Sequence, residues 1–266
     1  MRRVLTIAGS DPSGGAGIQA DLKTMCALGV FGMSAVTAVT VQNTQKVYDV
    51  QEINPEIVSG QVEAVLSDIG ADAVKIGMIP SLDAMRAVRD RLLRHKVRNI
   101  VLDPVMVSKS GCRLLKSEVE LELITLFPLA EVVTPNLAEA AALSGLEIAR
   151  PDDMIAAARK IQELGARNVL VKGGGWTDNS DDFLLLGDVS VWLRCPHIDT
   201  KNTHGTGCTL SSAIACNLAG GASLRDAVER AKDYVTQAIR DSLDIGHGVG
   251  PLGHLVQLYR AAGVAS

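Results

Sequence analysis

Short runs of hydrophobic residues alternate along the chain with longer segments in which hydrophobic residues recur at helical spacing. The short runs predict strands that are apolar on both faces, at residues 4–8, 34–41, 73–76, 99–102, 131–134 and 168–172. The clearest one-sided helices are predicted at residues 152–164 and 224–239. This alternation predicts an α/β fold, with a mostly parallel central sheet that is covered by helices on both faces.

Residues 183–194 show a different pattern, in which two apolar runs flank Gly187 and Asp188. Glycine and aspartate favour a tight turn, so this segment predicts an antiparallel hairpin at an edge of the sheet. The chain has 266 residues, 47% of them hydrophobic, and neither a linker-like segment nor an internal repeat divides it. We therefore expect one domain over residues 1–266.

Net charge, hydropathy and the cysteine and histidine positions argue against several classes of protein. The formal net charge of −4 argues against a nucleic-acid partner, because proteins that bind the phosphate backbone usually carry a basic face. The most membrane-like stretch, residues 28–41, is short and interrupted by polar residues, and the N-terminal run predicts a strand rather than a signal peptide. The five cysteines form no C-x-x-C pair and the five histidines no metal-binding spacing, so we expect a cytoplasmic protein without a transition metal.

Polar and glycine-rich segments follow most of the predicted strands directly. In chain order they are GSDPSGGAG, QNT, DPVMVSKSG, PNLAEA and GGG. The carboxyl ends of parallel strands meet at one edge of a sheet, where α/β proteins bind their ligands. The sequence therefore predicts a ligand site at this edge.

Taken singly, these segments leave alternatives open. The first has neither the Lys-Ser/Thr of a Walker loop nor Rossmann spacing, and its glycines either bind phosphate or allow close packing. Asp103 precedes a proline and is either a Mg²⁺-associated carboxylate or a turn residue. Asn136 and Glu139 are spaced either for a capping box or for holding Mg²⁺ and phosphate.

Other single residues carry weaker signals. Lys109 is either a solvated loop residue or a mobile cation that closes over phosphates, whereas Lys172 ends an apolar strand and favours a functional role. Met78 suits the core or the wall of a pocket for a flat ring. His247 and His254 lie in a glycine-rich segment that favours scaffolding over metal binding.

The segment HGTGCTLSSAIA, residues 204–215, combines a glycine-rich turn with the start of a predicted helix. The first N–H groups of a helix lack internal partners and bind anions, so this turn predicts a phosphate cradle. Cys208 stands within it, where a helix N-terminus can lower the pKa of a thiol. The alternative is a small residue that merely fits the helix start.

The sequence resembles the hydroxymethylpyrimidine/phosphomethylpyrimidine kinases of the ribokinase-like superfamily. The motifs that carry the resemblance span residues 4–254 and are AGSDPSGGAGIQADLKT, VQNT, KIGM, LDPVMVSKSG, TPNLAEA, VKGG, KNTHGTGCTLSSAIA and GHGVGP. The resemblance implies a ribokinase-like fold and two ATP-dependent steps of thiamine biosynthesis. In these steps 4-amino-5-hydroxymethyl-2-methylpyrimidine is phosphorylated, and its monophosphate is then phosphorylated to the diphosphate. The family is typically homodimeric.

The resemblance also implies roles for matched residues. The pyrimidine pocket would comprise Gly9, Ala16, Asp21, Gln42, Met78 and Val105. Nucleotide phosphates and Mg²⁺ would be held by Asp103, Asn136, Glu139 and Lys172, with the metal on Asp103 and Glu139. Lys109 would lie in a mobile flap, and the transferring phosphoryl group would be stabilised by Gly205, Thr206, Gly207 and Cys208.

Most of the superfamily carries an aspartate base where this chain has Cys208. In the second step the nucleophile is itself a phosphate, and two like charges about 4 Å apart repel by roughly 4 kcal/mol at an effective dielectric of 20. Cys208 is therefore interpreted as a compromise, basic enough for an alcohol yet neutral beside a phosphomonoester. Two alternative functions are a pyridoxal or pyridoxine kinase with the same cysteine and a non-catalytic pyrimidine sensor; the nucleotide-binding motifs disfavour the sensor.

Overall fold

The computed structural model describes residues 1–106, 117–174 and 180–264. The strands in these ranges are β1 (Arg3–Ser10), β2 (Phe31–Gln42), β3 (Val47–Glu52), β4 (Ala73–Ile76), β5 (Ile100–Leu102), β6 (Val132–Val133), β7 (Asn168–Val171), β8 (Asp182–Leu186) and β9 (Val189–Leu193). The helices are α1 (Gly17–Ala27), α2 (Pro55–Asp68), α3 (Leu82–Arg94), α4 (Ser117–Leu123), α5 (Leu137–Ser144), α6 (Pro151–Glu163), α7 (Thr206–Ala219), α8 (Leu224–Arg240) and α9 (Val256–Ala261).

These nine strands form one sheet in the order β3-β2-β1-β4-β5-β6-β7-β8-β9. Its six central strands, from β2 to β7 in the sheet order, run parallel to one another, and β8 and β9 form the predicted antiparallel hairpin. All six predicted strands are present, with ends that shift by up to three residues. The predicted fold class is confirmed, but β3, which pairs antiparallel with β2 at the other edge, was not predicted.

Helices cover both faces of the sheet, as predicted. One face packs against α2, α3, α5 and α6 and the other against α1, α7 and α8. Alternate residues of a strand enter opposite layers, since Leu5 and Ile7 face the first group of helices and Val4 faces the second. On β4, Val74 and Ile76 occupy the first layer, so the intervening Lys75 points towards α1 and α7.

Capping residues explain where several helices begin. Asn54 and Ser81 accept hydrogen bonds from the first turns of α2 and α3, and Ser223 does the same for α8. The helices predicted at residues 152–164 and 224–239 are present as α6 and α8, with bounds that differ by one residue. Within the described ranges, no helix is long and apolar enough to cross a membrane.

Candidate active site

A cavity of about 610 Å³ lies at the carboxyl ends of the parallel strands, beside the start of α7. Most of the predicted site residues line it: Gly9, Ala16, Gln42, Met78, Asp103, Val105, Asn136, Glu139, Lys172, Gly205, Thr206, Gly207 and Cys208. Lys109 lies outside the described residues. The polar segments that follow different strands therefore meet, although they are far apart in the chain.

The glycine-rich turn after β1 packs directly against the turn that opens α7. Gly205 has a φ of +85°, and a Cβ atom on it would collide with the carbonyl oxygen of Gly15. A Cβ on Gly15 would in turn collide with the imidazole of His204. The glycines at the contact thus allow the close packing that the sequence left as one of two alternatives.

Asp11 and His204 join these two turns, and neither was predicted as a site residue. His204 Nε2 lies 2.8 Å from Asp11 Oδ2, which also accepts the N–H of Ala16 at 2.9 Å. Burial raises the pKa of Asp11, but hydrogen bonds from His204 and Ser13 outweigh it and hold this pKa below its usual value. The side chain is 3% exposed. Asp11 is therefore an ionised anchor for the loop.

Gln42 ends β2 and faces the cavity beside this pair. Its Nε2 lies 3.4 Å from His204 Nε2, and its Oε1 lies 3.2 Å from Thr40 Oγ1. Met78 borders the same part of the cavity, and Gly9 makes room for it, because a Cβ on Gly9 would lie 2.6 Å from the Met78 methyl group. An amide beside a flat apolar wall suits a polar heteroaromatic ring.

Asp21 does not line the cavity, which corrects the expectation that it contacts the pyrimidine. Its carboxylate accepts both hydrogen bonds of a buried Lys75 ammonium, at 2.8 and 2.9 Å. Thr6 Oγ1 and Ser212 Oγ also donate to it, at 2.6 and 2.7 Å. Both members of the ion pair are fully buried, and Lys75 forms part of the cavity wall. Sequence reasoning did not predict a role for Lys75, which is the first residue of the motif KIGM.

Asp103 and Lys172 form a second pair, next to the N-terminus of α7. Lys172 Nζ lies 2.7 Å from Asp103 Oδ1. Gly207 lets the pair lie close to the helix, since a Cβ there would approach Lys172 Nζ to 3.3 Å and Asp103 Oδ2 to 3.4 Å. Burial alone would lower the pKa of Lys172, but Asp103 and Glu139 raise it. The ammonium therefore stays charged where the first N–H groups of α7 point.

Asn136 and Glu139 form the capping box that the sequence offered as one alternative. Asn136 Oδ1 accepts the N–H of Glu139 at 2.9 Å, and Glu139 Oε2 accepts the N–H of Asn136 at 2.8 Å. Burial raises the pKa of Glu139 to about 7, with the charge of Lys172 opposing and that of Asp103 adding to the rise. Glu139 also accepts a hydrogen bond from the backbone N–H of Met106, and it lines the cavity.

Cys208 lies in the first turn of α7, between the two lysine–aspartate pairs. Burial raises the pKa of its thiol to about 11, although the charge of Lys75 lowers it. This corrects the expectation that the helix N-terminus lowers the pKa. The thiol is neutral at physiological pH. This supports the interpretation that Cys208 is neutral beside a phosphomonoester and opposes the interpretation that it is a base for the alcohol.

The remaining wall of the cavity was missed by sequence reasoning. Lys232, on α8, donates to Asp182 Oδ2 and to the Ser180 carbonyl oxygen, each at 2.6 Å. His197 and Ile239 line the same part. Lys232 lies on the polar side of a one-sided helix, so no local pattern distinguishes it from a solvated lysine.

His254 has a structural role. Thr209 Oγ1 lies 2.9 Å from its Nε2, and burial, with the charge of Lys23, lowers its pKa to about 4. In the part of the chain that the structure describes, no group of three histidine, cysteine or acidic side chains is placed to hold a metal ion.

Comparison with known proteins gives consistent matches. The family model described as phosphomethylpyrimidine kinase matches residues 11–253. The hydroxymethylpyrimidine/phosphomethylpyrimidine kinase of Salmonella typhimurium is 46% identical over 96% of this chain and 98% of its own length. The bifunctional thiamine biosynthesis protein ThiED of Geobacter sulfurreducens is 48% identical over 95% of this chain, which spans only 52% of that relative.

A solved structure of Bacillus subtilis pyridoxal kinase, in complex with ADP, superposes with a TM-score of 0.91. It is 41% identical, and the match covers 97% of this chain and 99% of that one. The fold, and with it the connectivity around the cavity, is therefore shared with that pyridoxal kinase.

Proposed function

Because the chain belongs to the phosphomethylpyrimidine kinase family, we propose that it phosphorylates 4-amino-5-hydroxymethyl-2-methylpyrimidine with ATP and then phosphorylates the monophosphate. The chain is related to such kinases over nearly its whole length. The ADP complex of a structural neighbour supports a nucleotide as the second substrate.

One observation carries the proposal: a single cavity joins two unlike sets of side chains. Gln42, Met78 and His204 follow or face the strands on one side of α7 and suit a flat polar ring. Lys172 and Asp103 follow strands on the other side and suit phosphates. The start of α7 lies between the two sets. On one side His204 contacts Asp11 in the turn after β1, and on the other side Gly207 lies against Asp103 and Lys172.

The chain's own groups supply electrostatic stabilisation rather than a strong base. The N–H groups in the first turn of α7 and the ammonium of Lys172 are the positive groups nearest to a transferring phosphoryl group in this assignment. A loose phosphoryl-transfer transition state requires little proton abstraction. The neutral Cys208 thiol also avoids repelling a phosphomonoester, which suits the second step.

The resemblance implies Mg²⁺, and the donors present fit it. Asp103 and Glu139 offer carboxylate oxygens, which Mg²⁺ prefers, and substrate phosphates and water usually complete its coordination. The charge of Asp103 raises the pKa of Glu139, so the two carboxylates are close enough to influence each other. When bound, the ion neutralises phosphate charge.

The test is to follow both steps with ATP and Mg²⁺ and to identify the monophosphate and diphosphate products. Absence of the diphosphate at saturating ATP, from folded protein, contradicts the bifunctional proposal. The Gln42→Ala variant is expected to lose roughly 1–3 kcal/mol in kcat/KM for the pyrimidine while keeping its KM for ATP. An equal loss of ATP affinity would place Gln42 in the wrong part of the site.

Pyridoxal kinase activity is the second candidate, favoured by the TM-score of 0.91 to the Bacillus subtilis enzyme. A higher kcat/KM for pyridoxal than for the pyrimidine would reverse the assignment. The homodimer and the flap role of Lys109 stay predictions from the resemblance, and the cytoplasmic location stays a prediction from the cysteine pattern. Light scattering, a Lys109→Ala variant and fractionation test them in turn.

A further inference from the structure

A row of hydrogen-bonding groups lies at the proposed pyrimidine side of the cavity. It runs from Asp11 through His204, Gln42 and Thr40 to the carbonyl oxygen of Ser10. The successive separations are 2.8, 3.4, 3.2 and 3.0 Å. All five residues line the cavity. The proposal above assigns no role to Asp11 or Thr40 and names His204 only among the residues that line the ring side of the cavity.

Asp11 decides which groups of this row donate hydrogen bonds and which accept them. An ionised carboxylate only accepts hydrogen bonds, and the low pKa of Asp11 keeps it ionised. The N–H groups of Ser13 and Ala16 hold the carboxylate in place. His204 Nε2, 2.8 Å away, must therefore carry a hydrogen and act as a donor. It cannot accept a hydrogen bond from Gln42.

The hydrogen bonds then select one orientation of the Gln42 amide, whose oxygen and nitrogen are otherwise interchangeable in shape. A nitrogen facing His204 would place two donors 3.4 Å apart. With the oxygen facing His204, the nitrogen donates to Thr40 Oγ1, which gives its own hydrogen to the Ser10 carbonyl oxygen at 3.0 Å. No two donors of the row then face each other.

We propose that Asp11 and His204 are positioning residues that fix the Gln42 amide and thereby make the site selective for an aminopyrimidine. This inference rests on the proposed function. The fixed amide offers the cavity one acceptor and one N–H donor, which match an exocyclic amine beside a ring nitrogen. Pyridoxal has no amine next to its ring nitrogen, so it leaves one of these groups unpaired.

The local glycines support this assignment. His204 can lie against the first turn only because Gly15 has no side chain, and Gly205 can approach that turn for the same reason. The close packing of the two turns therefore serves the contact between Asp11 and His204, which are 193 residues apart in the chain.

Selectivity is measured as the ratio of kcat/KM for hydroxymethylpyrimidine to that for pyridoxal. His204→Phe keeps a ring and removes the donor, and Asp11→Asn keeps the shape and removes the charge. Both are expected to lower the ratio by about tenfold or more, mainly through KM for the pyrimidine, with KM for ATP unchanged. Thermal unfolding checks that each variant is folded.

A double-mutant cycle separates positioning from a general structural role. If His204 acts through Gln42, His204→Phe has no further effect on the ratio in a Gln42→Ala background. Additive losses, or an unchanged ratio in both single variants, overturn the proposal. His95→Phe is the matched control, because His95 also contacts a carboxylate, Glu63, at 3.1 Å but lies outside the cavity.

Dissociation constants for the two rings, measured by calorimetry, give the same ratio without catalysis. A wild-type protein that binds the pyrimidine but does not phosphorylate it would contradict the proposed function and would still test this inference. Binding selectivity that the variants leave unchanged would overturn the inference alone.

Discussion

Two lysine–aspartate pairs flank the start of α7, and their surroundings differ. Lys75 and Asp21 are fully buried, and Thr6 and Ser212 complete the hydrogen bonds of the carboxylate. These groups come from β4, α1, β1 and α7, so the pair ties four elements together. With its partners already supplied, this pair has little left to offer a ligand.

The Lys172–Asp103 pair has a similar separation of 2.7 Å but faces the cavity, with 14% of the Lys172 side chain exposed. Its additional contacts, from Thr134 and Ser211, are long, at 3.3 and 3.4 Å. The ammonium and the carboxylate can therefore still bind other groups. The comparison shows that the same two residue types stabilise the fold in one place and suit ligand binding in another, according to how completely their partners are supplied.

The largest expected effect is a loss of stability when the buried Lys75–Asp21 pair is broken. Lys75→Met leaves the buried Asp21 carboxylate without a counter-charge and is expected to cost about 3–5 kcal/mol in the free energy of unfolding. Urea unfolding measures the loss. A Lys75→Met/Asp21→Leu double variant should recover much of it. A single-variant loss below about 1 kcal/mol would contradict the structural role.

When the Lys172–Asp103 pair is broken, the main effect is expected on the rate of catalysis. Lys172→Met is expected to lower kcat by roughly 100-fold, because it removes a positive charge facing the transferring phosphoryl group. Its free energy of unfolding should change much less than that of Lys75→Met, since Asp103 lines the cavity whereas Asp21 does not. Lys160→Met, which breaks an exposed pair with Glu163, is the control. An unchanged kcat would contradict the assignment.

A third variant places a new charge between the two pairs. Cys208→Asp is expected to keep the first phosphorylation but to slow the second by about tenfold or more relative to it, because a carboxylate repels the monophosphate. Cys208→Ser keeps a small neutral side chain and should retain both steps. Separate assays of the two steps provide the measurement, and an equal loss in both would exclude charge as the reason for the cysteine.

The last expected effect is a pH dependence of stability at Glu139. Its pKa is raised from 4.5 to about 7 by burial, so between these values the folded state holds a proton that the unfolded state has lost. The stabilisation is full below pH 4.5 and falls as pH rises through 7. Glu139→Gln should lack this part of the decline in urea unfolding between pH 5 and 8, whereas exposed Glu163→Gln should keep it. Parallel curves for wild type and Glu139→Gln would contradict the raised pKa.

Hydrophobic patterning predicted most of the sheet but not its outer strand. β3 has a half-exposed pattern, because it pairs only with β2 at the edge and contributes little to either core. Central strands such as β4 are buried on both faces and appear in the sequence as short apolar runs. Burial, which creates the sequence pattern, is absent where a strand lies outside the core.

Site prediction placed residues that follow a predicted strand, such as Gln42 and Asp103, at an edge of the sheet where the structure has a cavity, and their roles stay predictions. It failed for Asp21, which was assigned to the ring by resemblance but lies behind the cavity wall on Lys75. It also overlooked Asp11 and His204, whose pairing joins two distant turns. Nothing local in either segment marks its partner.

The sequence by itself determined the alternation of strands and helices, the two faces of the sheet and the edge at which polar groups collect, because burial and backbone geometry impose local periods. Tertiary structure alone decided which charges meet. Asp21 meets Lys75 across 54 positions and Asp103 meets Lys172 across 69. A carboxylate in the sequence has the same chemistry whether it will be closed off by hydrogen bonds from three donor groups or left open to a ligand; only the packing of distant elements around it supplies or withholds those donors.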